Sequence, residues 1–76
     1  MYNNFSSHQV FRPVAGIWMD ANGSVLADVL AEHGLTIDER TQFARLYDYE
    51  TMQCFWYRAY GAYKITLTIY PINDKR

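Results

Sequence analysis

The clearest alternation in the chain lies near its C-terminal end. Tyr63, Ile65, Leu67 and Ile69 are separated by Lys64, Thr66 and Thr68. That is the period of a half-buried strand. Pro71 ends it, because proline brings no N–H to a ladder. The run from Met52 to Ala59 is also strand-like, and Tyr60-Gly61-Ala62 supplies a turn. Together they predict a β-hairpin. Near the other end, HQVFRPVAGIWMD (residues 8–20) reads as one extended segment, interrupted by Pro13 and Gly16. Pro13 places that strand at an edge or on a bulge. DANG at 20–23 is a turn signal, since Asn and Gly tolerate positive φ.

Between these segments the period changes to that of helices. Ser24 can cap SVLADVLAEHG. Val25, Leu26, Val29 and Leu30 fall on one side of it, with Asp28 and Glu32 toward the other. Gly34 suits the left-handed residue that ends a helix. Thr36-Ile-Asp-Glu39 then has the form of a capping box, with Asp38 and Glu39 near the positive end of the dipole. It predicts a second helix over 37–47 that buries Ile37, Phe43, Leu46 and Tyr47. Arg40 and Arg45 would lie outward or on its rim. The expected fold is α+β, in the order β-α-α-β-β. It is a three-stranded antiparallel sheet, built from an N-terminal strand and the C-terminal β-hairpin, with two short helices on one face. Residues 1–76 make one domain, of which 1–7 are a loose arm that Tyr2 and Phe5 could anchor.

The hairpin concentrates aromatic surface. CFWYRAYGAY, from Cys54 to Tyr63, holds Phe55, Trp56, Tyr57, Tyr60 and Tyr63 around Arg58. Which rings face the core depends on the loop. A three-residue loop at 60–62 puts Phe55, Tyr57 and Ala59 inside and Trp56 and Arg58 outside, beside Lys64 and Thr66. A two-residue loop reverses the faces. Either register leaves a large ring on the side away from Ile65 and Leu67. Two helices cover only one side of a sheet. The second side is then covered by Phe5, Phe11 or Trp18, satisfied by cross-strand ring pairs, or used for binding.

Composition narrows the field. Half the 76 residues are hydrophobic and 17% are aromatic, too apolar for a disordered chain. The net charge is −1, so no global field draws in DNA or an anionic membrane. The distribution is uneven. Residues 20–50 carry a balance of −5 and residues 51–76 a balance of +3. The longest apolar runs are far shorter than the roughly 20 residues that span a bilayer. Cys54 is the single cysteine, so no internal disulfide forms. The opening MYNNFSSHQV has no signal-peptide pattern. A soluble, cytoplasmic protein is the expectation.

Catalytic and cofactor patterns are not found. His8 and His33 share no metal-ligand spacing with each other or with Cys54. Gly16, Gly23, Gly34 and Gly61 are isolated and make no phosphate loop. Asp38 and Glu39 are adjacent and do not face each other on a helix. No metal, cofactor or enzymatic activity is expected.

What remains is binding. Trp56, Tyr57, Arg58 and Tyr60 are residue types that dominate interfaces, and Lys64 joins them on the hairpin as a candidate contact. Glu32, Asp38 and Glu39 give the helical half an acidic surface that could dock on a basic protein, such as a nucleic-acid channel. The expected function is a small non-catalytic protein-binding domain. Size and composition invite analogy with phage and mobile-element inhibitors of host defence, anti-CRISPR proteins among them. Self-association through the same rings is the same physical claim with a different partner. A single-stranded nucleic-acid binder using the aromatic and basic hairpin is the alternative from another class. It is disfavoured here by the net charge and by the lack of an RNP-like motif. A toxin–antitoxin component is the third reading.

Overall fold

The C-terminal hairpin forms and becomes the centre of a larger sheet. The computed structural model describes residues 7–72. Its elements are β1 (Ser7–Val14), β2 (Ile17–Met19), α1 (Leu26–Ala31), β3 (Phe43–Asp48), β4 (Gln53–Tyr60) and β5 (Lys64–Pro71). One antiparallel sheet runs in the order β2-β1-β5-β4-β3. The expected three-stranded sheet with two helices is therefore replaced by five strands and one short helix.

Two local choices produce the difference. The first is at 15–16, where Ala15 (φ 52°) and Gly16 (φ 83°) both take the left-handed conformation. Two such residues make the tight turn that matches strand twist. The expected single strand over 8–20 thus folds back as β1 and β2. Pro13 fits because β1 pairs with β5 only as far as Phe11↔Ile65, leaving Pro13 opposite Trp18 of β2.

The second choice replaces the expected helix over 37–47. The Asp38 Oδ1 accepts the Arg40 N–H (2.8 Å), and its carbonyl accepts that of Thr41 (2.8 Å). Asp38 therefore closes a local turn instead of starting a helix. In FARLYD the spacing of Phe43, Leu46 and Tyr47 suits a helix, but the alternation suits a strand equally well. Tertiary pairing decides between them: β4 offers an aromatic-rich edge, and β3 pairs with it from Phe43↔Arg58 to Asp48↔Gln53.

α1 starts later than the sequence implies. Val25 occupies the N-cap with extended backbone and no side-chain cap bond. Ser24 instead donates its N–H to Asp20 Oδ1 (2.7 Å). The helix ends as expected at Gly34 (φ 70°). The N–H of Leu35 reaches the Leu30 carbonyl (2.9 Å), and that of Gly34 reaches Ala31 (3.0 Å). These two bonds form a Schellman motif. The expected arm lies outside the described residues except for Ser7, which opens β1.

The hairpin loop is Gly61–Tyr63, flanked by Tyr60↔Lys64. The pairing is shifted by two from the three-residue loop considered above. An even shift preserves the faces, so Phe55, Tyr57 and Ala59 point inward with Ile65, Leu67 and Ile69. Phe11, Phe55 and Leu67 are fully buried, and Leu26 and Leu30 of α1 complete the core with Tyr57 and Ile65.

A buried carboxylate ties the end of α1 to the β3–β4 turn. Asp48 Oδ2 lies 2.7 Å from His33 Nδ1. A carboxylate only accepts, so the imidazole proton sits on Nδ1. Asp48 also takes the Thr51 hydroxyl (2.8 Å) and the N–H of Glu50 (3.0 Å). The hydrogen bond from His33, then that from Thr51, holds the Asp48 carboxyl below its usual pKa.

Candidate functional site

α1 is the one helix among the described residues, and it packs on the side of Phe11, Phe55 and Leu67. Strand parity assigns the other side. β4 sends Cys54, Trp56, Arg58 and Tyr60 there, and β5 sends Lys64, Thr66, Thr68 and Tyr70. β3 adds Phe43, Arg45 and Tyr47. From β1 come His8, Val10 and Arg12. Rings stay accessible on this side: Phe43 is 48% exposed, Tyr47 42% and Tyr60 41%.

Trp56 is the hub. Its direct cross-strand partners are Arg45 and Thr68. The Arg45 guanidinium lies 4.5 Å from the indole centroid. Phe43 meets the indole edge-on at 5.5 Å, and Tyr70 sits tilted at 6.2 Å. The indole Nε1 is buried without an acceptor among the described residues. A second cluster surrounds Tyr60, with the Arg58 guanidinium 5.2 Å and the Lys64 ammonium 5.0 Å from its ring. At the edge, His8 Nδ1 and Thr68 Oγ1 hydrogen-bond at 2.9 Å.

Charge sorts cleanly. Among the described residues, no strand position on the open side carries an acid. Asp48 faces the core side, and Asp20 bonds Gln9, also on that side (3.0 Å). Asp28 lies on α1, Glu32 just beyond it, Asp38 and Glu39 in the following loop, and Glu50 in the β3–β4 turn. Arg12, Arg45, Arg58 and Lys64 share the open face.

The structure thus divides the candidate residues named from sequence. Trp56, Arg58, Tyr60 and Lys64 come together. Tyr57 is on the core side and only 3% exposed. Glu32, Asp38 and Glu39 are exposed on elements away from the open face. Phe43, Arg45, Tyr47 and Tyr70 join the face without having been singled out. The period of two in FARLYD was the signal for the first three.

Cys54 also lies on the open side of the sheet but is 4% exposed. Burial raises its thiol pKa, opposed by the Arg45 charge and by hydrogen bonds from Tyr47 and Tyr70. His33 lies on the core side against Phe55, at 4.7 Å between rings. Cysteine and histidine are therefore on opposite faces and make no nucleophile pair. No cluster of metal-ligating side chains occurs among the described residues. No described helix is long and apolar enough to cross a membrane.

Comparison with known proteins finds no matching family model, no matching curated protein and no matching solved structure.

Proposed function

We propose that this is a non-catalytic binding domain whose open sheet face receives an anionic macromolecule, with single-stranded nucleic acid the partner that fits best. The sorting of side chains carries the reading. Arg12, Arg45, Arg58 and Lys64 share one face with Phe43, Trp56, Tyr60 and Tyr70, and no strand acid among the described residues lies between them. Cations track a phosphate backbone, while rings stack on bases of any sequence. The balance moves toward nucleic acid, relative to the sequence reading, because β3 is a strand. Arg45 and Phe43 leave an expected acidic helix and join the basic face.

The test is a titration of a fluorescein-labelled oligothymidylate followed by anisotropy. Wild type binds at low salt, and Phe43→Ala, which removes an exposed ring, weakens binding by about tenfold or more, the scale of one lost stack. Absence of binding at low salt ends the reading.

The opposite surface supports a second reading. Asp28, Glu32, Asp38 and Glu39 are exposed, and Arg40 near Asp38 (3.7 Å) is the one ion pair among them. Such a surface can dock on a basic protein channel, as an inhibitor of a nucleic-acid-handling defence complex would. Pull-down from bacterial lysate, repeated with Glu32, Asp38 and Glu39 reversed in charge, tests it. A partner retained equally by both forms contradicts it.

A further inference from the structure

A six-residue helix is short cover for a five-stranded sheet. The irregular segment after α1 closes part of the remainder and leaves a cavity of about 510 Å³. Leu26 and Leu30 roof it, and Leu35 and Ile37 form a wall. Tyr57, Ala59 and Ile65 make the floor, with Trp18 at the side. This volume falls in the range of small-molecule sites, roughly 300–1,000 Å³. The cavity is on the opposite side of the sheet from the basic face, so it stands apart from the nucleic-acid reading.

Polar groups are few. Glu39 is the one ionisable side chain in the lining apart from Tyr57, and it is exposed at the rim. Its carboxylate disfavours an anionic occupant. Tyr57 is the exception within. Its ring is 3% exposed, and its hydroxyl makes no hydrogen bond to any described residue. Burial pushes its pKa up, which keeps it a neutral donor. It is thus a donor set in an otherwise mainly apolar lining.

The described chain does not bring its own ends here. β1 begins at Ser7, opposite Ile69, and β5 finishes at Pro71, opposite Gln53. The cavity lies at the other end of these strands, by Gly61 and Ile65. The volume and the mainly apolar lining suit a separate small molecule.

We infer that this cavity binds a small, neutral, mainly apolar molecule carrying one hydrogen-bond acceptor, which the Tyr57 hydroxyl engages. The probe is 1-indanone, a neutral bicyclic ketone, titrated into ¹⁵N-labelled protein and followed by amide shifts. Saturable shifts are expected at Leu30, Ile37 and Ala59, with a Kd of roughly 1 mM or tighter for a ligand of this size. Tyr57→Phe, which keeps the ring, weakens binding about fivefold, the scale of one hydrogen bond. Ala59→Leu fills the floor and abolishes the shifts, while its remaining spectrum reports an intact fold. Three results overturn the inference: no saturable shift up to the solubility limit, unchanged affinity in Tyr57→Phe, or unchanged binding in Ala59→Leu.

Discussion

Arg45 and Trp56 are direct cross-strand partners, and the guanidinium of one lies 4.5 Å from the ring centroid of the other. The contact joins β3 to β4 on the open side, with Phe43 closing on the edge of the indole. The proposed binding face is thus assembled within the single chain. On the proposed reading a base would stack on the exposed rings of Phe43 and Tyr60 rather than on the covered indole, with cations beside them for the phosphates. Preorganisation of this kind lowers the ordering entropy that binding must overcome.

Removing the cation exposes the ring. Arg45→Ala lowers stability by about 0.5–1 kcal/mol, the scale of an exposed cation–π contact. Urea denaturation followed by circular dichroism measures it, and tryptophan emission shifts to the red in the folded variant. An unchanged midpoint and an unchanged spectrum would show that the contact contributes nothing.

Ala15 is strained. It holds φ 52° in the β1–β2 turn, where a side chain other than Asn or Asp is disfavoured. Ala15→Asn creates the Asn-Gly pair that this turn favours. It raises stability by about 0.5–1 kcal/mol and the Tm by a few degrees. Calorimetry checks the gain, and a loss of stability would mean that the turn is not left-handed in solution.

The parts legible in the sequence are those whose signal is local and single-valued. Tyr63 to Ile69 alternates over a full strand, and it appears as β5. Gly34 ends α1 because its backbone requires what glycine permits. The misread segments each offered two local solutions. FARLYD satisfies a helical spacing and a strand alternation at once, and only the edge of β4 chooses between them. Thr36 to Glu39 has the letters of a capping box, yet Asp38 closes a turn with its own neighbours. The candidate site follows the same division. Trp56, Arg58, Tyr60 and Lys64 were named from residue type, but the loop left both registers open, and only the observed pairing puts these four on one face. Arg45 and Phe43 were hidden because their face depends on a strand pairing distant in space.

Acid should loosen the end of α1. Asp48 has its folded-state pKa below the ordinary 3.8, chiefly through His33. The unfolded chain therefore binds a proton more readily, and this contribution to stability is present above about pH 4 and lost as pH falls through the folded value. Asp20 adds to the same limb, lowered chiefly by its hydrogen bond from Gln9. Wild-type stability, measured by urea titration between pH 7 and pH 2.5, should fall on the acid side. Asp48→Asn should show a lower plateau and a shallower fall. An equally steep fall would remove Asp48 from the account.

Cys54 should be inert. Its thiol is buried and its pKa raised, so little thiolate is present at neutral pH. Ellman's reagent should react slowly with the native protein and at once in denaturant. Fast native reaction would mean that the open face fluctuates enough to uncover it.

The salt dependence of oligonucleotide binding reads out the cations of the open face. With Arg12, Arg45, Arg58 and Lys64 all engaging phosphates of a single strand, log K should fall with log salt at a slope of about −3. Arg58→Ala should flatten that slope by about 0.7, while Glu32→Lys, on the far side, should leave it nearly unchanged. A slope indifferent to Arg58, or no binding at low salt, would contradict the account.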